Sequence, residues 1–595
     1  MRTAKFLSVL ALPILASGAT GCATYSGLAQ PRVELRPVAQ PDPVEARIQR
    51  VQHGLALPVL VKGRPDQRLA LMDRMRVYHT PAVSVAVINN GAIEWARAWG
   101  VKQLGKPSPA DENTLFAAGS ISKPVAAMGA LRMVQDGRLG LTEDVNIKLK
   151  SFKVPENEFT TREKVTLGRL LNHSSGLGQF AGDGQPETGP LLSLADALKG
   201  KGRSDAATVE FVPGARQQYS NAGYGVVQLL MTDVAGRPFD PLMRELVFQP
   251  LGMSRSFYSQ VPLSSRDANA ATGHNSLTGE AVHSSLPSSP ALSAAGLWTT
   301  PTDLGRFIVA LQKARAGEHG YVLEKERADS MLTPNRNIWS YGLQVDTKGR
   351  TPRFWHDGSV PGFLSYMVAY NWTGQGAVVM VNQDAYNGLK IAAEVMYGIA
   401  REYGWPDFRP ERQTIAIDPA RLSDYAGLYD IDEGYPVTII QRGDKLFLIW
   451  ALGTAYEMFP SAPDEFFIAR DGLPTYVFER DSSGHVIGVA RKWQGGSAAA
   501  KRVPLPPPAT SGKTVLRLAG HQDALIVSLI GNFNGWKRQR NICERAEDGW
   551  ICRVDLSPGQ HKLAFAVDNE VVPHPRLPRD REEDIGPVSI MTIPG

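Results

Sequence analysis

Only three cysteines, Cys22, Cys543 and Cys552, occur in 595 residues. So few exclude a disulfide-dense scaffold. They show no Cys-x-x-Cys spacing, and the 11 histidines contain no His-Glu-x-x-His pattern, so no metal or other cofactor is expected. Excess charge of one sign is lacking as well. The 64 Lys and Arg residues nearly balance 59 Asp and Glu, leaving +5. The densest charged run, Arg579-Asp580-Arg581-Glu582-Glu583-Asp584, mixes both signs. This argues against nucleic acid, whose phosphates call for a concentrated basic face. Long apolar runs are also missing: Phe6 to Ala16 falls short of the ~20 residues a membrane-spanning helix needs, and later runs are broken by charge or by helix breakers.

The amino terminus reads instead as an export signal over residues 1–22. Arg2 and Lys5 precede the apolar stretch, and Ser17-Gly18-Ala19-Thr20-Gly21-Cys22 follows it. Ala19-Thr20-Gly21-Cys22 resembles a bacterial lipobox, which makes Cys22 a lipid attachment site; cleavage near Ala29 is the alternative. The expected location is accordingly periplasmic, outer-membrane-anchored or secreted, with membrane contact only through a lipid anchor. Cys543 and Cys552 flank the Asp548-Gly549 turn signal. A tight hairpin there would set them face to face, as one disulfide in an oxidising compartment or as two buried thiols.

Composition divides the rest. Residues 23–60 read as a proline-bearing tether and a first helix, and 61–405 as a large mixed domain. In that domain the β-branched run Pro81 to Ile88, the Asn90-Gly91 turn and Ile93 to Arg97 predict a hairpin. Helical stretches follow around 125–135, 240–247 and 303–312, then a strand at 376–381 and a helix at 389–402. Strands at both ends of helix-rich sequence imply one sheet with helices packed on it. Residues 415–498 read as a small all-β barrel or sandwich, with strands at 437–441, 445–450, 466–470, 476–479 and 486–492. A proline-rich linker, 503–513, leads to a second all-β module at 514–595.

The chemistry lies in the mixed domain. In Gly119-Ser120-Ile121-Ser122-Lys123-Pro124, residues three apart share a helix face, so the Lys123 amine stands beside the Ser120 hydroxyl. Pro124 is tolerated only near a helix start, which puts Ser120 at a helix N-terminus suited to a developing oxyanion. Alone, Ser-x-x-Lys is weak evidence, expected about twice by chance in a chain this long. Tyr219-Ser220-Asn221 adds a phenol. A neighbouring ammonium could draw its pKa down from ~10, or Lys123 could be the base after a depression of ~3 units; the sequence leaves this choice open. In His356-Asp357-Gly358-Ser359, a glycine lets a strand approach the reacting centre, and the Ser359 N–H could complete an oxyanion hole with that of Ser120.

In this order, Ser120-x-x-Lys123, Tyr219-x-Asn221 and His356-x-Gly358 resemble the three active-site motifs of class C β-lactamases and their penicillin-binding-protein and family VIII esterase relatives. Leu170-Leu171-Asn172-His173-Ser174-Ser175-Gly176-Leu177, Gln249-Pro250-Leu251-Gly252-Met253 and Ala295-Gly296-Leu297-Trp298-Thr299-Thr300 support the likeness. The resemblance implies an α/β (α+β) β-lactamase/transpeptidase-like domain, its antiparallel sheet flanked by helices. Ser120 would be the nucleophile, Lys123 and Tyr219 would move the proton, and Asn221, His356, Gly358 and Ser359 would hold an ester, amide or peptide substrate. No Gly-x-Ser-x-Gly elbow surrounds the serine, which disfavours an ordinary α/β-hydrolase. Class C β-lactamases carry lysine at the third motif; His356, mostly neutral at pH 7 by its reference value, favours esters or amides over penicillins. His173 is read as structural, bonding the backbone, and Trp298 as packing.

The trailing modules carry resemblances too. Tyr425-Ala426-Gly427-Leu428-Tyr429 and its sequel resemble the lipocalin-like β-domain appended to such hydrolases. Gly531-Asn532-Phe533-Asn534-Gly535-Trp536 resembles the early-set β-sandwich of glycogen-associated proteins, with Trp536 as the candidate polysaccharide contact. Ala564 and Val571 fall where that family places its lysine and second tryptophan. The competing functional reading is a catalytically idle, surface-anchored protein that recognises peptidoglycan or glycan fragments.

Overall fold

The computed structural model describes residues 42–178, 192–201, 205–260, 267–276, 279–282, 289–430, 436–449, 455–470, 474–493, 496–504, 507–538, 540–568, 570–582 and 586–594. The expected signal segment, Cys22 and the tether up to residue 41 lie outside them. Of the first 43 residues, which form a separate unit, only Asp42 and Pro43 are described.

The mixed domain is built on a six-stranded antiparallel sheet. Its strands are β1 (Ala82–Asn89), β2 (Ala92–Gly100), β3 (Gln344–Asp346), β4 (Arg353–Val360), β5 (Phe363–Tyr370) and β6 (Gly376–Val381), ordered β2-β1-β6-β5-β4-β3. The predicted Asn90-Gly91 turn closes the β1–β2 hairpin, with both residues at positive φ. Both faces of β1 are covered, which explains its unbroken apolar run. Val83, Val85 and Val87 enter a core with α1 (Pro43–Gln52) and the C-terminal helix α5 (Ala385–Glu402). Ala82 and Ile88 face the other core, which holds α2 (Ser122–Gln135), α3 (Asn221–Ala235) and α4 (Pro301–Arg315).

Residues 427–503 close into an eight-stranded antiparallel barrel. Three of its strands escape the sequence pattern: Gly427–Asp430, Ala455–Ala462 and Gly496–Val503. The second contains Pro460, tolerated because the pairing register shifts between Pro460 and Ala462. The third, Gly-Ser-Ala-Ala-Ala-Lys-Arg-Val, shows no apolar alternation, yet it closes the barrel against Gly427–Asp430. The barrel therefore runs to Val503, past the expected end at 498 and into the expected linker. Arg470 reaches Glu394 of α5 at 2.5 Å, joined there by Arg74 at 2.8 Å, so the barrel docks on the helix that covers the sheet's second face.

The last module holds a three-stranded sheet and a five-stranded sheet. A hairpin of Glu544–Ala546 with Gly549–Val554 carries the expected disulfide between Cys543 and Cys552, Cα atoms 4.2 Å apart. Trp536 packs with Val571 on a small cluster of Ile530, Ala564, Ala566 and Val588. The candidate glycan positions thus share one face of the sheet.

Candidate active site

Ser120 sits in a single 3-10 turn, Gly119–Ile121, that runs straight into α2. Pro124 falls in the first turn of α2, where no hydrogen bond is lost. The neighbouring Ser122 anchors this junction. Its hydroxyl donates to the Gly119 carbonyl at 2.6 Å and accepts the Leu297 N–H at 3.0 Å, while the Tyr258 hydroxyl donates to its carbonyl at 2.9 Å.

The second half of β4, which runs past its short neighbour β3, presses against the turn. A Cβ on Gly358 would lie 2.0 Å from the Ala118 carbonyl oxygen and 2.7 Å from the Ser120 nitrogen. One on Gly119, which has φ +53°, would lie 2.6 Å from the Ser359 nitrogen. Only glycine fits on either side, and the contact brings the backbone N–H groups of Ser120 and Ser359 close together, as an oxyanion hole requires.

Lys123 is fully buried. Its Nζ stands 3.1 Å from Ser120 Oγ and 2.8 Å from the Ala294 carbonyl oxygen. Burial drives its pKa from the usual lysine value down to about 7, against the opposing pull of the Asp357 carboxylate. Tyr219 approaches from the start of α3. Ser220 caps that helix by accepting the Gly223 N–H at 2.9 Å, so Tyr219 lies just before the cap and Asn221 in the first turn. The Lys123 amine lies 4.7 Å from the centre of the Tyr219 ring, and the Tyr219 hydroxyl hydrogen-bonds Ser120. Burial pushes the phenol well above its ordinary value and so opposes a resting phenolate.

His356 is buried behind the cleft, 2% exposed. Its Nδ1 lies 2.5 Å from the Asp357 carbonyl oxygen, which can only accept, so Nδ1 carries the proton. Burial holds the ring below the usual imidazole pKa, so His356 is uncharged at pH 7. Its Nε2, the His173 Nε2 and the Asn221 Oδ1 are buried with no hydrogen-bond partner among the described residues. Ser120, Lys123, Tyr219, Gly358 and Ser359 thus lie together with His356 behind them, and Asn221 stands in the first turn of the helix that follows Tyr219.

Two contributors were not anticipated. Trp339 sets its ring 4.7 Å from His173, 5.6 Å from Tyr219 and 5.7 Å from His356. Ala294 supplies the carbonyl that holds Lys123. The only signal for Ala294 was its place beside the family-like Ala295 to Thr300 stretch; Trp339 had none beyond being a tryptophan near a glycine.

A Ser-Lys pair at the start of a helix, lodged against an antiparallel sheet, defines the β-lactamase/transpeptidase class of fold. The chain belongs to the beta-lactamase family, whose model (Beta-lactamase) matches residues 68–395, more than half of its length. It is 25% identical over 419 residues to penicillin-binding protein 4* of Bacillus subtilis (strain 168), covering 65% of this chain and 87% of that one. To esterase EstB of Burkholderia gladioli it is 32% identical over 179 residues, 29% of this chain and 45% of the esterase. The solved octameric penicillin-binding protein homologue from Pyrococcus abyssi matches with a TM-score of 0.50 at 21% identity, covering 72% of this chain and 98% of that one. A second family model, the glycogen recognition site of AMP-activated protein kinase, matches residues 516–592.

Proposed function

We propose that this protein is a serine hydrolase that cleaves ester or amide bonds of small substrates through an acyl intermediate on Ser120. The observation that carries this reading is the fully buried Lys123 amine, 3.1 Å from Ser120 Oγ with its pKa brought to about 7. A neutral form of this amine is therefore accessible near pH 7, and it accepts the Ser120 proton as the oxygen attacks the carbonyl carbon. The carbonyl π electrons move onto oxygen, where the Ser120 and Ser359 N–H groups meet the developing charge. Collapse expels the alcohol or amine, which takes a proton through the Tyr219 hydroxyl, relayed from the Lys123 ammonium. Water, deprotonated by the same amine, then releases the acid and restores Ser120. Tyr219 serves as a protonated relay, since burial disfavours its phenolate.

An uncharged His356 gives the third motif no cation for a substrate carboxylate, which favours neutral esters and amides over penicillins. The disulfide of Cys543 and Cys552 supports export to an oxidising compartment. Hydrolysis of p-nitrophenyl butyrate by wild type and Ser120→Ala, with a chromogenic cephalosporin in parallel, tests the reading. Expected are ester turnover that vanishes in the variant and little cephalosporin cleavage. If the wild type proves inert toward esters, amides and D-amino-acid peptides alike, the idle binding protein replaces the enzyme.

A further inference from the structure

His173 lies outside the three motifs, and its surroundings are unlike those of a packing histidine. It follows the short helix Leu167–Leu171 and takes up φ +63°, the left-handed region. A non-glycine residue there is strained and persists only where the surroundings hold it. Among the described residues, both of its polar contacts to other elements fall on the residues flanking Tyr219. The His173 carbonyl accepts the Gln218 N–H at 2.8 Å, and its Nδ1 accepts the Ser220 N–H at 3.2 Å. Between these two bonds the imidazole lies against the Tyr219 ring, centroids 4.4 Å apart and planes 34° apart. Trp339 closes on the imidazole edge-on at 4.7 Å.

The backbone on both sides of the phenol and one face of its ring are therefore fixed by a single residue. The ring must be neutral to do this, because a protonated Nδ1 would become a donor and oppose the Ser220 N–H. Burial, aided by nearby Lys123 and His356, holds the imidazole pKa well below its usual value.

We propose that His173 is a positioning residue for the acyl-transfer reaction: it fixes the Tyr219 hydroxyl over Ser120 by gripping the backbone on both sides of Tyr219 and bearing on its ring. The proposal rests on the serine-hydrolase reading and specifies how that site is held. His173 touches neither substrate nor the reacting atoms and acts through Tyr219 alone. Two substitutions separate its parts. His173→Gly removes the side chain but accepts positive φ without strain. His173→Asn also tolerates that backbone and places an amide oxygen where Nδ1 stood, so it keeps the bond to Ser220 without the ring.

The test is a double-mutant cycle with Tyr219→Phe, read as kcat and KM on p-nitrophenyl butyrate, with thermal melting to establish folding. In the wild-type background His173→Gly should lower kcat at least about tenfold with KM within about twofold, and His173→Asn should recover part of the loss. In the Tyr219→Phe background, with no hydroxyl left to position, the same glycine substitution should change kcat by less than about twofold. An equal fold-loss in both backgrounds, or an asparagine variant no better than glycine, overturns the proposal. If the fully folded wild type hydrolyses no ester and is not acylated on Ser120 by a fluorophosphonate, the serine-hydrolase reading fails instead, and this proposal falls with it.

Discussion

Lys123 in the cleft and Tyr429 in the barrel are both completely buried, and their polar atoms are treated in opposite ways. In the barrel, Tyr429 donates its hydroxyl to the Tyr425 carbonyl at 2.7 Å, and Tyr425 donates to Asp464 at 2.9 Å. Around them Phe466, Tyr476 and Phe478 fill the interior. Around Ser120, burial depresses the pKa of the Lys123 amine, and His173, His356 and Asn221 each bury a polar atom without a partner among the described residues. The barrel's aromatic interior satisfies its hydroxyls, whereas the Ser120 site carries a cost in stability of the kind expected where a site is shaped for chemistry. Arg470 joins the barrel to α5, on the sheet face away from Ser120, so the two interiors are separable by mutation.

The sharpest break in this comparison is Lys123→Met. Ester turnover should fall by about 10³–10⁴-fold, because the proposed base is gone. Stability should nonetheless rise. The native amine has its pKa depressed from 10.5 to about 7, so between those values the unfolded chain binds the extra proton and stability increases with pH. The penalty is complete below pH 7 and absent above ~10.5. A shift of this size corresponds to roughly 5 kcal/mol, part of which the lost bond to Ala294 offsets. Thermal melting should show Lys123→Met more stable by about 1–2 kcal/mol at pH 7, with the advantage fading toward pH 10. A variant less stable than wild type at every pH would mean that burial of the lysine is not costly.

Phe466→Ala is the converse. Its ring is fully buried in the barrel, and truncation should cost about 3–5 kcal/mol. The kcat of the folded fraction should stay within about twofold, since no barrel side chain in that core reaches Ser120. Denaturation and active-site titration together check this; a large fall in kcat per titrated site would tie the barrel to catalysis. Third in size is the pH profile of the wild type. Lys123 must be neutral to accept the Ser120 proton, so kcat/KM should fall tenfold per unit on the acid side of an apparent pKa near 7. A profile flat down to pH 5 would remove Lys123 as the base.

The sequence made the catalytic half legible because its chemistry depends on short-range patterns. Ser120 and Lys123 share one helix face, Pro124 marks the start of that helix, and Gly358 is needed where β4 meets the Ser120 turn. The β1–β2 hairpin was equally plain, because a two-residue turn set its register. What escaped depends on the fold. Trp339 reaches the cleft from a bend far along the chain, and the carbonyl of Ala294 leaves no signature in a side chain. In the barrel, Gly496–Val503 is a strand only because its neighbours on both sides supply hydrogen-bond partners. Ala455–Ala462 hides its alternation behind a bulge at Pro460. The preference for Lys123 over Tyr219 as the proposed base was also beyond the sequence, since it turns on burial rather than on residue type.

The smallest predicted effect sharpens the comparison most, because it touches electrostatics without touching packing. Asp357 is exposed on β4 between His356 and Gly358, and its carboxylate is the charge that opposes the depression of the Lys123 pKa. Asp357→Asn removes that opposition, so the Lys123 ammonium becomes easier to deprotonate and the acid limb of kcat/KM should move to lower pH. Solvent screens an exposed charge, which limits the shift to a few tenths of a unit and makes it shrink as ionic strength rises. In the barrel, Asp464→Asn breaks the 2.8 Å pair with Arg480. It should lower stability by about 1 kcal/mol and leave the limb in place. Measuring both variants at low and high salt decides the point. A limb that moves upward in Asp357→Asn, or moves equally in both, would mean that Lys123 is not the group whose proton the profile reports.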